Sequence, residues 1–225
     1  MKKYAIIVAA GAGKRMQSDI PKQFLLLNDK PVFYYSISTF LSTFDDIEII
    51  LVMPKGYRYE KEDLLQYFEK KYRITIVTGG DTRYESVKNG LNEIMEDGIV
   101  FIHDAVRPFI NRDFLEALLL VAMQEGNAVP YTDVNDSLRL VTENENQSIN
   151  REQLKAIQTP QVFQAALIKK AYEYPYKEIF TDDASVLESA GAKINLVKGL
   201  TENIKITLPL DLKYAELILK EITIG

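Results

Sequence analysis

Short apolar, β-branched runs alternate with helix-like segments along almost the whole chain. The runs span Tyr4 to Ala9, Ile47 to Met53, Ile74 to Val77, Ile99 to Ile102, Ala128 to Tyr131 and Ile194 to Val197. The helix-like segments span Pro31 to Phe44, Lys61 to Tyr72, Arg83 to Met95, Arg112 to Gln124, Ala165 to Glu173 and, as an amphipathic terminal helix, Leu210 to Glu221. Continuous apolar runs are typical of strands that are covered on both faces. The pattern therefore predicts an α/β fold with a doubly wound, mostly parallel, mixed sheet flanked by helices.

The stretch from Asp133 to Ile157 breaks this alternation. It contains an extended piece from Asp136 to Val141, a polar turn around Glu143 to Gln147 and a second extended piece from Ser148 to Ile157. Two such pieces predict a β-hairpin, which is only marginally stable alone in water. We therefore expect residues 1–225 to form a single domain with a protruding β-hairpin arm at 133–157 that packs on a second subunit.

The composition excludes several kinds of site and partner. The 225 residues include no cysteine and one histidine, which excludes disulfides, thiol nucleophiles and zinc sites built on cysteine or on several histidines. The formal net charge of −5 gives no general attraction to nucleic acids or anionic lipids. No apolar stretch has the length of a membrane span, and the N-terminal run is predicted to be a buried strand rather than a signal peptide. We expect a cytoplasmic protein without nucleic-acid or membrane partners, whose anionic ligands meet local clusters of Lys and Arg.

A glycine-rich loop follows the first predicted strand and is predicted to open a helix. It reads AAGAGKRM from Ala9 to Met16, and its small residues let backbone N–H groups close on a phosphate. A dinucleotide site would need a third glycine at Met16, and an NTPase phosphate loop would need Ser or Thr where Arg15 stands. With Lys14 and Arg15 adding charge, the loop predicts a triphosphate site of another kind. Lys22 could add a point charge to the same site, although an isolated lysine is usually a solvated surface residue.

Two segments together resemble a known family. The loop from Ala9 to Met16 and the string PKQFL from Pro21 to Leu25 look like the signature of the sugar-phosphate nucleotidyltransferases. More narrowly, they are similar to the cytidylyltransferases that make 4-diphosphocytidyl-2-C-methyl-D-erythritol in the non-mevalonate isoprenoid pathway, and to their relatives that act on ribitol 5-phosphate. Matching motifs continue in the same order to Asp211, so the resemblance covers nearly the whole chain. It implies a Rossmann-like nucleotidyltransferase fold and a homodimer formed through the arm.

The remaining motifs lie mostly in loops after predicted strands, where open α/β sheets bind their ligands. They are GGDTRYESV from Gly79 to Val87, HDAVRP from His103 to Pro108, NR and QTPQ between Asn150 and Gln161, TDDAS from Thr181 to Ser185, and NIKIT from Asn203 to Thr207, which is predicted to be a short strand. Asp183 stands where the family has Glu, Ser137 where it has Thr, and Arg139 where it has Lys. The segment from Tyr131 to Asn135 is also longer than in many members. The departures at Ser137, at Arg139 and in this segment concern the acceptor rather than the class of reaction.

The resemblance also implies roles for individual residues. The CTP site would consist of Ala9, Ala10, Gly11, Ala12, Gly13, Lys14, Gly80, Asp81, Arg83, Ser86 and Asp104. The acceptor site would consist of Asp104, Ala105, Arg107, Ser137, Arg151, Thr159, Thr181 and Lys205. The catalytic cations would be Arg15, Lys22, Arg151 and Lys205, with Arg151 delivered by the arm of a second subunit. The implied reaction transfers CMP from CTP to 2-C-methyl-D-erythritol 4-phosphate and releases pyrophosphate. The implied cofactor is Mg²⁺, held mainly by the CTP phosphates with Asp104 as a protein ligand.

The residues taken alone leave simpler interpretations open. Asp81, Thr181 or Asp182 could be helix caps. His103 is more simply structural, because an acceptor phosphate that is already ionised needs no general base. D-Ribitol 5-phosphate is an alternative acceptor, and a nucleotide-binding regulatory module is the alternative that is not an enzyme. Such a module would not need two separate sets of cations, which argues against it.

Overall fold

Strands and helices alternate through the fold as the sequence predicts. The computed structural model describes residues 1–11, 20–57 and 60–224. The strands are β1 (Lys2–Val8), β2 (Leu26–Leu27), β3 (Lys30–Pro31), β4 (Ile47–Met53), β5 (Ile74–Thr78), β6 (Gly98–Asp104), β7 (Asn127–Asp133), β8 (Leu138–Val141), β9 (Asn146–Ile149), β10 (Lys155–Ile157), β11 (Gln161–Gln164) and β12 (Leu196–Lys198). The helices are α1 (Val32–Thr43), α2 (Lys61–Leu65), α3 (Arg83–Asn92), α4 (Arg112–Glu125), α5 (Ala165–Ala171), α6 (Asp183–Ser189) and α7 (Pro209–Ile224). Short 3₁₀ helices span Lys22–Phe24, Lys71–Arg73 and Arg151–Gln153.

An eight-stranded mixed sheet carries the site. Its order is β10-β7-β11-β6-β1-β4-β5, and β12 also pairs with β7. The strands β6, β1, β4 and β5 run parallel, with Val8 of β1 in register with Val52 and Asp104. The carboxyl ends of these strands therefore meet at one edge of the sheet. Since β10 and β11 run antiparallel to their neighbours, the prediction of a mixed sheet flanked by helices is confirmed.

Helices cover both faces of the sheet because alternate residues of a strand point to opposite sides. On β1, the buried residues Ala5 and Ile7 pack into one core with α1 and α4. Tyr4 and Ile6 pack into a second core with α3, α5 and α6. A third cluster includes Ala215 and joins α7 to the segment before it. Within the described residues, no helix combines the length and the apolar character that crossing a membrane requires.

The helix predicted over Lys61 to Tyr72 is wrong in its extent, because α2 ends at Leu65. The buried Phe68 packs against Phe33 and Tyr34, with ring centroids 6.4 and 5.4 Å apart. The chain has left the helix after Leu65, and the packing of Phe68 fixes its path three residues further on. Tertiary contacts of an aromatic side chain outweigh a modest local helix propensity.

Near the site, one strand is not predicted by the sequence and one predicted strand is wrong. No strand is predicted after the QTPQ motif, whereas Gln161–Gln164 is β11, inserted between β6 and β7. The predicted strand from Asn203 to Thr207 is irregular. Its Ile206 N–H donates to Val106 O at 2.9 Å, and Ile206 is buried while Lys205 is exposed. Lys205 and Ile206 therefore differ in exposure as neighbours in a strand would, although no strand forms.

The arm is shorter than predicted. β8 and β9 form a separate two-stranded hairpin, closed by a hydrogen bond of 2.9 Å from Thr142 N to Glu145 O. The second predicted piece does not continue to Ile157, because the chain turns at Asn150, whose side chain accepts from Glu152 N at 3.1 Å. It then passes through a 3₁₀ helix and rejoins the main sheet as β10.

Close packing between α3 and the sheet at Gly90 gives a test of the fold. A Cβ at this position would lie 2.8 Å from Ile6 Cγ2 and 3.3 Å from Val52 Cγ2. Alanine normally stabilises a helix by about 1 kcal/mol over glycine, but overpacking a core costs about 1–3 kcal/mol. We expect Gly90→Ala to lower the free energy of unfolding in urea by up to about 2 kcal/mol. The exposed Asn92→Ala in the same helix should change it by less than about 0.5 kcal/mol. A Gly90→Ala protein more stable than the wild type would contradict this packing.

Candidate active site

A cavity of about 360 Å³ opens at the edge where the parallel strands end, a volume in the range of small-molecule sites. It lies between Ala10 and Gly11 at the beginning of the glycine loop, the start of α3, the end of β6 and the segment before α7. The predicted site residues that line it are Ala10, Gly11, Lys22, Gly80, Asp81, Arg83, Ser86, Asp104 and Lys205. The fold thus brings together residues from the N-terminal, middle and C-terminal parts of the chain.

Asp104 is the charged centre of this cavity. Its carboxylate is nine-tenths buried and faces three cationic groups. Lys205 Nζ lies 2.8 Å from Oδ2, and Arg107 Nε lies 3.6 Å from the same oxygen. Arg83 Nε lies 3.6 Å from Oδ1. Burial acts to raise the pKa of Asp104, but Arg83, Lys205 and Arg107 outweigh it and hold the pKa well below its ordinary value. Asp104 is therefore a carboxylate at neutral pH and orients cations around the cavity.

A buried chain of hydrogen bonds holds the backbone N–H of Asp104. The carbonyl oxygen of Arg107 lies 3.0 Å from His103 Nε2, and since a carbonyl has no proton, Nε2 must donate. His103 Nδ1 then accepts from the Thr159 hydroxyl at 3.0 Å, and that oxygen accepts from Asp104 N–H at 3.0 Å. Burial lowers the pKa of His103 to about 4, so the imidazole is neutral at neutral pH. The geometry supports the structural interpretation of His103.

Arg83 is held at the cavity wall by an acid that sequence reasoning missed. Its Nη1 and Nη2 donate to Oδ1 and Oδ2 of Asp183 at 2.9 and 2.7 Å. Tyr172 also donates to Asp183 at 2.6 Å, and burial raises the pKa of Tyr172 well above its ordinary value, so its hydroxyl keeps the proton. Asp183 is fully buried. The sequence marks Asp183 only as a departure from the family string, which gives no signal of its contact with Arg83.

The start of α3 is held by a capping box at Thr82 and Glu85. Asp81 is therefore not the cap, and its carboxylate lies 3.0 Å from Lys55 Nζ instead. Gly80 N–H donates to Ser86 Oγ at 3.1 Å, which closes the turn toward the cavity. The capping interpretation is instead correct for Asp182, whose side chain accepts from Ser185 N in α6.

Lys22 lines the same cavity as Asp104. It begins the 3₁₀ helix Lys22–Phe24, and its Nζ donates to Ile206 O at 2.9 Å. Ile206 directly follows Lys205, so one segment places both predicted catalytic lysines. Two cations on one cavity can neutralise two separate phosphates.

Several predicted site residues lie elsewhere. Ala9, Ala105 and Thr159 are buried behind the cavity wall, and Thr181 is exposed at the start of the TDDAS segment. Ser137 and Arg151 are exposed on the arm, where Arg151 Nη1 donates to Asn135 O. The predicted residues Ala12, Gly13, Lys14 and Arg15 lie outside the described residues.

An ion cluster braces the base of the arm. Asp133 at the end of β7 pairs with Lys155 Nζ at 2.6 Å and also with Lys198. Hydrogen bonds from these two lysines lower the pKa of Asp133 to about 2. Both ammonium groups also lie over the ring of Tyr131, 5.2 and 5.4 Å from its centroid. The strands that carry the arm are thus joined to the edge of the main sheet.

The described residues could hold a magnesium ion only if other groups shared in binding it. They contain no group of three or more His, Asp or Glu side chains placed to hold a metal. Asp104 could supply one oxygen, although both of its oxygens already face cations. Mg²⁺ commonly binds through one or two carboxylates together with substrate phosphates, and this cavity agrees with that chemistry.

The fold is that of the α/β nucleotidyltransferases, as the similarity to solved structures shows. The 2-C-methyl-D-erythritol 4-phosphate cytidylyltransferase of Thermus thermophilus has a similar crystal structure, with a TM-score of 0.77, 27% identity and coverage of 96% of this chain and 98% of that chain. The 4-diphosphocytidyl-2C-methyl-D-erythritol synthase of Anaerococcus prevotii has a TM-score of 0.81 at 29% identity, covering 97% of this chain and 96% of that one.

Sequence comparison defines the family. The chain belongs to the 2-C-methyl-D-erythritol 4-phosphate cytidylyltransferase (IspD) family, whose model matches residues 4–221. The family member of Phocaeicola vulgatus is 42% identical over 219 residues, covering 97% of this chain and all of that protein. The member of Bacteroides fragilis is likewise 42% identical over 219 residues with the same coverage. The family resemblance stated from the motifs is confirmed, and the chain is a CTP-dependent nucleotidyltransferase.

The neutral, buried His103 makes the stability of the ligand-free protein depend on pH. Histidine in an unfolded chain has a pKa of about 6.5, whereas burial holds the folded pKa at about 4. The unfolded state therefore binds more protons between these values, so this contribution is complete above about pH 6.5 and lost as the pH falls toward about 4. We expect a loss of about 3 kcal/mol in the free energy of unfolding across this window.

Urea denaturation at several pH values measures this loss. His103→Gln, which keeps a donor for the Arg107 carbonyl but does not titrate, should show a flatter slope between about pH 6.5 and 4.5. Parallel slopes in the two proteins would show that His103 is not the group responsible.

Proposed function

We propose that this chain transfers the cytidylyl group of CTP to 2-C-methyl-D-erythritol 4-phosphate and releases pyrophosphate. The observation that carries the proposal is that Lys22 and Lys205 line one cavity around Asp104 in a member of this family. An oxygen of the acceptor phosphate attacks the α-phosphorus of CTP, and the bond from that phosphorus to the bridging oxygen of the β-phosphate breaks. We expect the reaction to take place in the cytoplasm.

Charge neutralisation is the main task of the site, because triphosphate and acceptor phosphate repel each other. In the proposed arrangement, Lys22 binds the triphosphate, together with Arg15, and Lys205 binds the acceptor phosphate. Asp104 holds Lys205 at 2.8 Å and so fixes the direction from which the acceptor approaches. The acceptor oxygen is already ionised at neutral pH, which agrees with a neutral His103 whose two ring nitrogens are both occupied.

Mg²⁺ is the proposed cofactor. Asp104 would share in holding it, with the phosphates of CTP as the main ligands. When bound, the ion would supply further positive charge to the triphosphate.

The base-recognition end of the cavity is proposed to lie at the start of α3. Gly80, Asp81 and Ser86 line the cavity there, and backbone groups of this turn are directed by the Ser86 hydroxyl. The Cβ of any residue at Gly79 would lie 2.7 Å from Ala10 Cβ, so the turn and the glycine loop are in close contact. A pyrimidine held between these two loops would place its phosphates toward Lys22.

The arm is proposed to make the homodimer. Leu140 and Val141 on β8 are 46% and 72% exposed, and a two-stranded hairpin is poorly stable without a partner. Arg151 follows this hairpin and lies on the arm rather than on the cavity of its own chain. We place Arg151 on the acceptor phosphate of the partner subunit.

The acceptor is identified by measuring pyrophosphate release with CTP, Mg²⁺ and one polyol phosphate at a time. We expect turnover with 2-C-methyl-D-erythritol 4-phosphate and much slower turnover with D-ribitol 5-phosphate. Turnover with the ribitol compound alone would replace the proposed acceptor. No release with either compound would favour the regulatory module.

The two lysines should fail in different ways. Lys22→Ala should lower kcat at least a hundredfold, because removal of a transition-state cation costs several kcal/mol. Lys205→Ala should chiefly raise the KM for the acceptor while CTP binding, measured by calorimetry, changes little. Lys71→Ala, an exposed lysine remote from the cavity, is the matched control and should behave as wild type. Full activity of Lys22→Ala would refute its assigned role.

A role of Arg151 across the dimer predicts complementation. Arg151→Ala and Lys22→Ala homodimers should both be nearly inactive. In a mixed dimer, one of the two sites combines wild-type Lys22 from one chain with wild-type Arg151 from the other. Co-expression with two different tags should therefore restore about a quarter of the wild-type activity when chains pair at random. Mixed dimers no more active than their parents would place Arg151 in the site of its own chain.

A further inference from the structure

Gln23 is a buried polar residue that the proposed mechanism does not use. It sits between Lys22 and Phe24 in the short 3₁₀ helix and is 1% exposed. Its Nε2 donates to Ala9 O at 2.5 Å and to Gly11 O at 3.2 Å. Because both neighbours are carbonyl oxygens, the amide nitrogen rather than the amide oxygen must face them. One side chain therefore spans Ala10 and binds the backbone on both sides of it.

The two hydrogen bonds of Gln23 lie directly after the last hydrogen bonds that join this part of the chain to the sheet. Val8 O accepts from Ala105 N at 3.2 Å, and Ala9 N donates to Val52 O at 2.9 Å. Beyond these bonds the glycine loop leaves the strand, and Gln23 binds the next carbonyls. A trans peptide group directs its C=O and N–H to opposite sides. With Ala9 O turned toward Gln23, the N–H of Ala10 is turned away from it.

The other side of the same 3₁₀ helix is also anchored. The ring of Phe24 stacks on Tyr57 with centroids 4.7 Å apart and meets the edge of Phe33 at 5.8 Å. Lys22 Nζ donates to Ile206 O at 2.9 Å. Three consecutive residues thus bind three different parts of the molecule: the segment before α7, the glycine loop and the aromatic core.

We infer that Gln23 is a positioning residue, which sets the distance between Lys22 and residues 9–11, where the glycine loop begins. The inference rests on the proposed function, in which the loop and Lys22 bind the same triphosphate. Gln23 acts through the backbone carbonyls of Ala9 and Gly11. Without the two hydrogen bonds from Gln23 Nε2, the position of the loop relative to Lys22 is no longer fixed. Displacements of about 1 Å in such groups can cost about a hundredfold in rate.

The first test replaces Gln23 by methionine, which keeps the length of the side chain and removes both donors. Initial rates are measured with CTP and acceptor varied separately, together with the melting temperature and calorimetric CTP binding. We expect kcat/KM for CTP to fall about 10- to 100-fold, while the KM for the acceptor stays within about twofold. Wild-type kinetics for CTP in Gln23→Met would overturn the inference.

The matched control is Asn127→Leu, at the amino end of β7 and away from the cavity. Asn127 is 2% exposed and also spans a backbone segment, donating to Lys193 O and accepting from Asn195 N, each at 2.9 Å. This variant should lose stability but keep wild-type kinetics for CTP. If it lost kcat/KM for CTP as Gln23→Met does, general destabilisation would explain both results and the inference would fall.

Gln23→Glu provides a readout that loss of stability alone would not give. Its carboxylate would face two carbonyl oxygens, whereas the protonated acid can donate again, and such surroundings raise the pKa of a carboxyl. The activity of Gln23→Glu relative to wild type should therefore recover as the pH falls from about 8 to about 6. A ratio that does not change with pH would contradict the inference, also in the case that Gln23→Met fails to fold.

Failure of the proposed function is recognised separately. If the wild type released no pyrophosphate with either acceptor, the assigned reaction would be wrong. The calorimetric CTP affinities of the wild type, Gln23→Met and Asn127→Leu would still test Gln23. Weaker CTP binding in Gln23→Met alone would support the inference, and equal affinity in all three proteins would overturn it.

Discussion

The ion cluster around Asp104 is the interaction on which the rest of the site depends. A buried carboxylate is unfavourable unless charged partners and hydrogen bonds compensate for its desolvation. Here Arg83 comes from α3, Arg107 from the loop after β6, and Lys205 from the irregular segment before α7. Pairing with one carboxylate draws these distant elements to the same edge of the sheet. The parallel strands provide that edge, because they all end there.

The ion cluster around Asp104 also explains how a protein of negative net charge can bind both a triphosphate and an acceptor phosphate. Its net charge of −5 repels phosphates at long range, so the attraction must be local. The segment 205–206 places both lysines of the cavity. Lys22 donates to the Ile206 carbonyl, and Lys205 pairs with Asp104. Cations fixed before the substrates arrive need little reorganisation during the reaction. The hydrogen bonds through His103 and Thr159 hold the Asp104 backbone without adding charge.

Much of this architecture follows from the sequence, and the exceptions have physical causes. Long apolar runs predicted β1, β4 and β6 because few other structures can bury such segments. β11 was missed because its first residue, Gln161, is polar; its amide is satisfied inside the protein by Asp182 and by the backbone of Ala184. The early end of α2 depends on where Phe68 packs, which local periodicity does not encode.

The candidate site likewise contains some residues that the sequence predicts and others that it does not. The glycine loop and Lys22 could be named from the residues as an anion site, and the family resemblance implied the roles of Asp104 and Lys205. The role of Asp183 could not, because a bidentate contact with Arg83 joins residues 100 positions apart. Nor does a motif indicate that Gln23 binds backbone carbonyls, since buried amides acquire their partners only from the tertiary fold.

A crystal structure with a non-reactive CTP analogue and the acceptor bound together would test the central claim most directly. The account predicts Lys22 Nζ within about 3 Å of a triphosphate oxygen and Lys205 Nζ within about 3 Å of an acceptor phosphate oxygen, with Asp104 still paired to the surrounding cations. It would be contradicted if the two ammonium groups kept only their present partners, the Ile206 carbonyl and Asp104, and neither approached a phosphate oxygen.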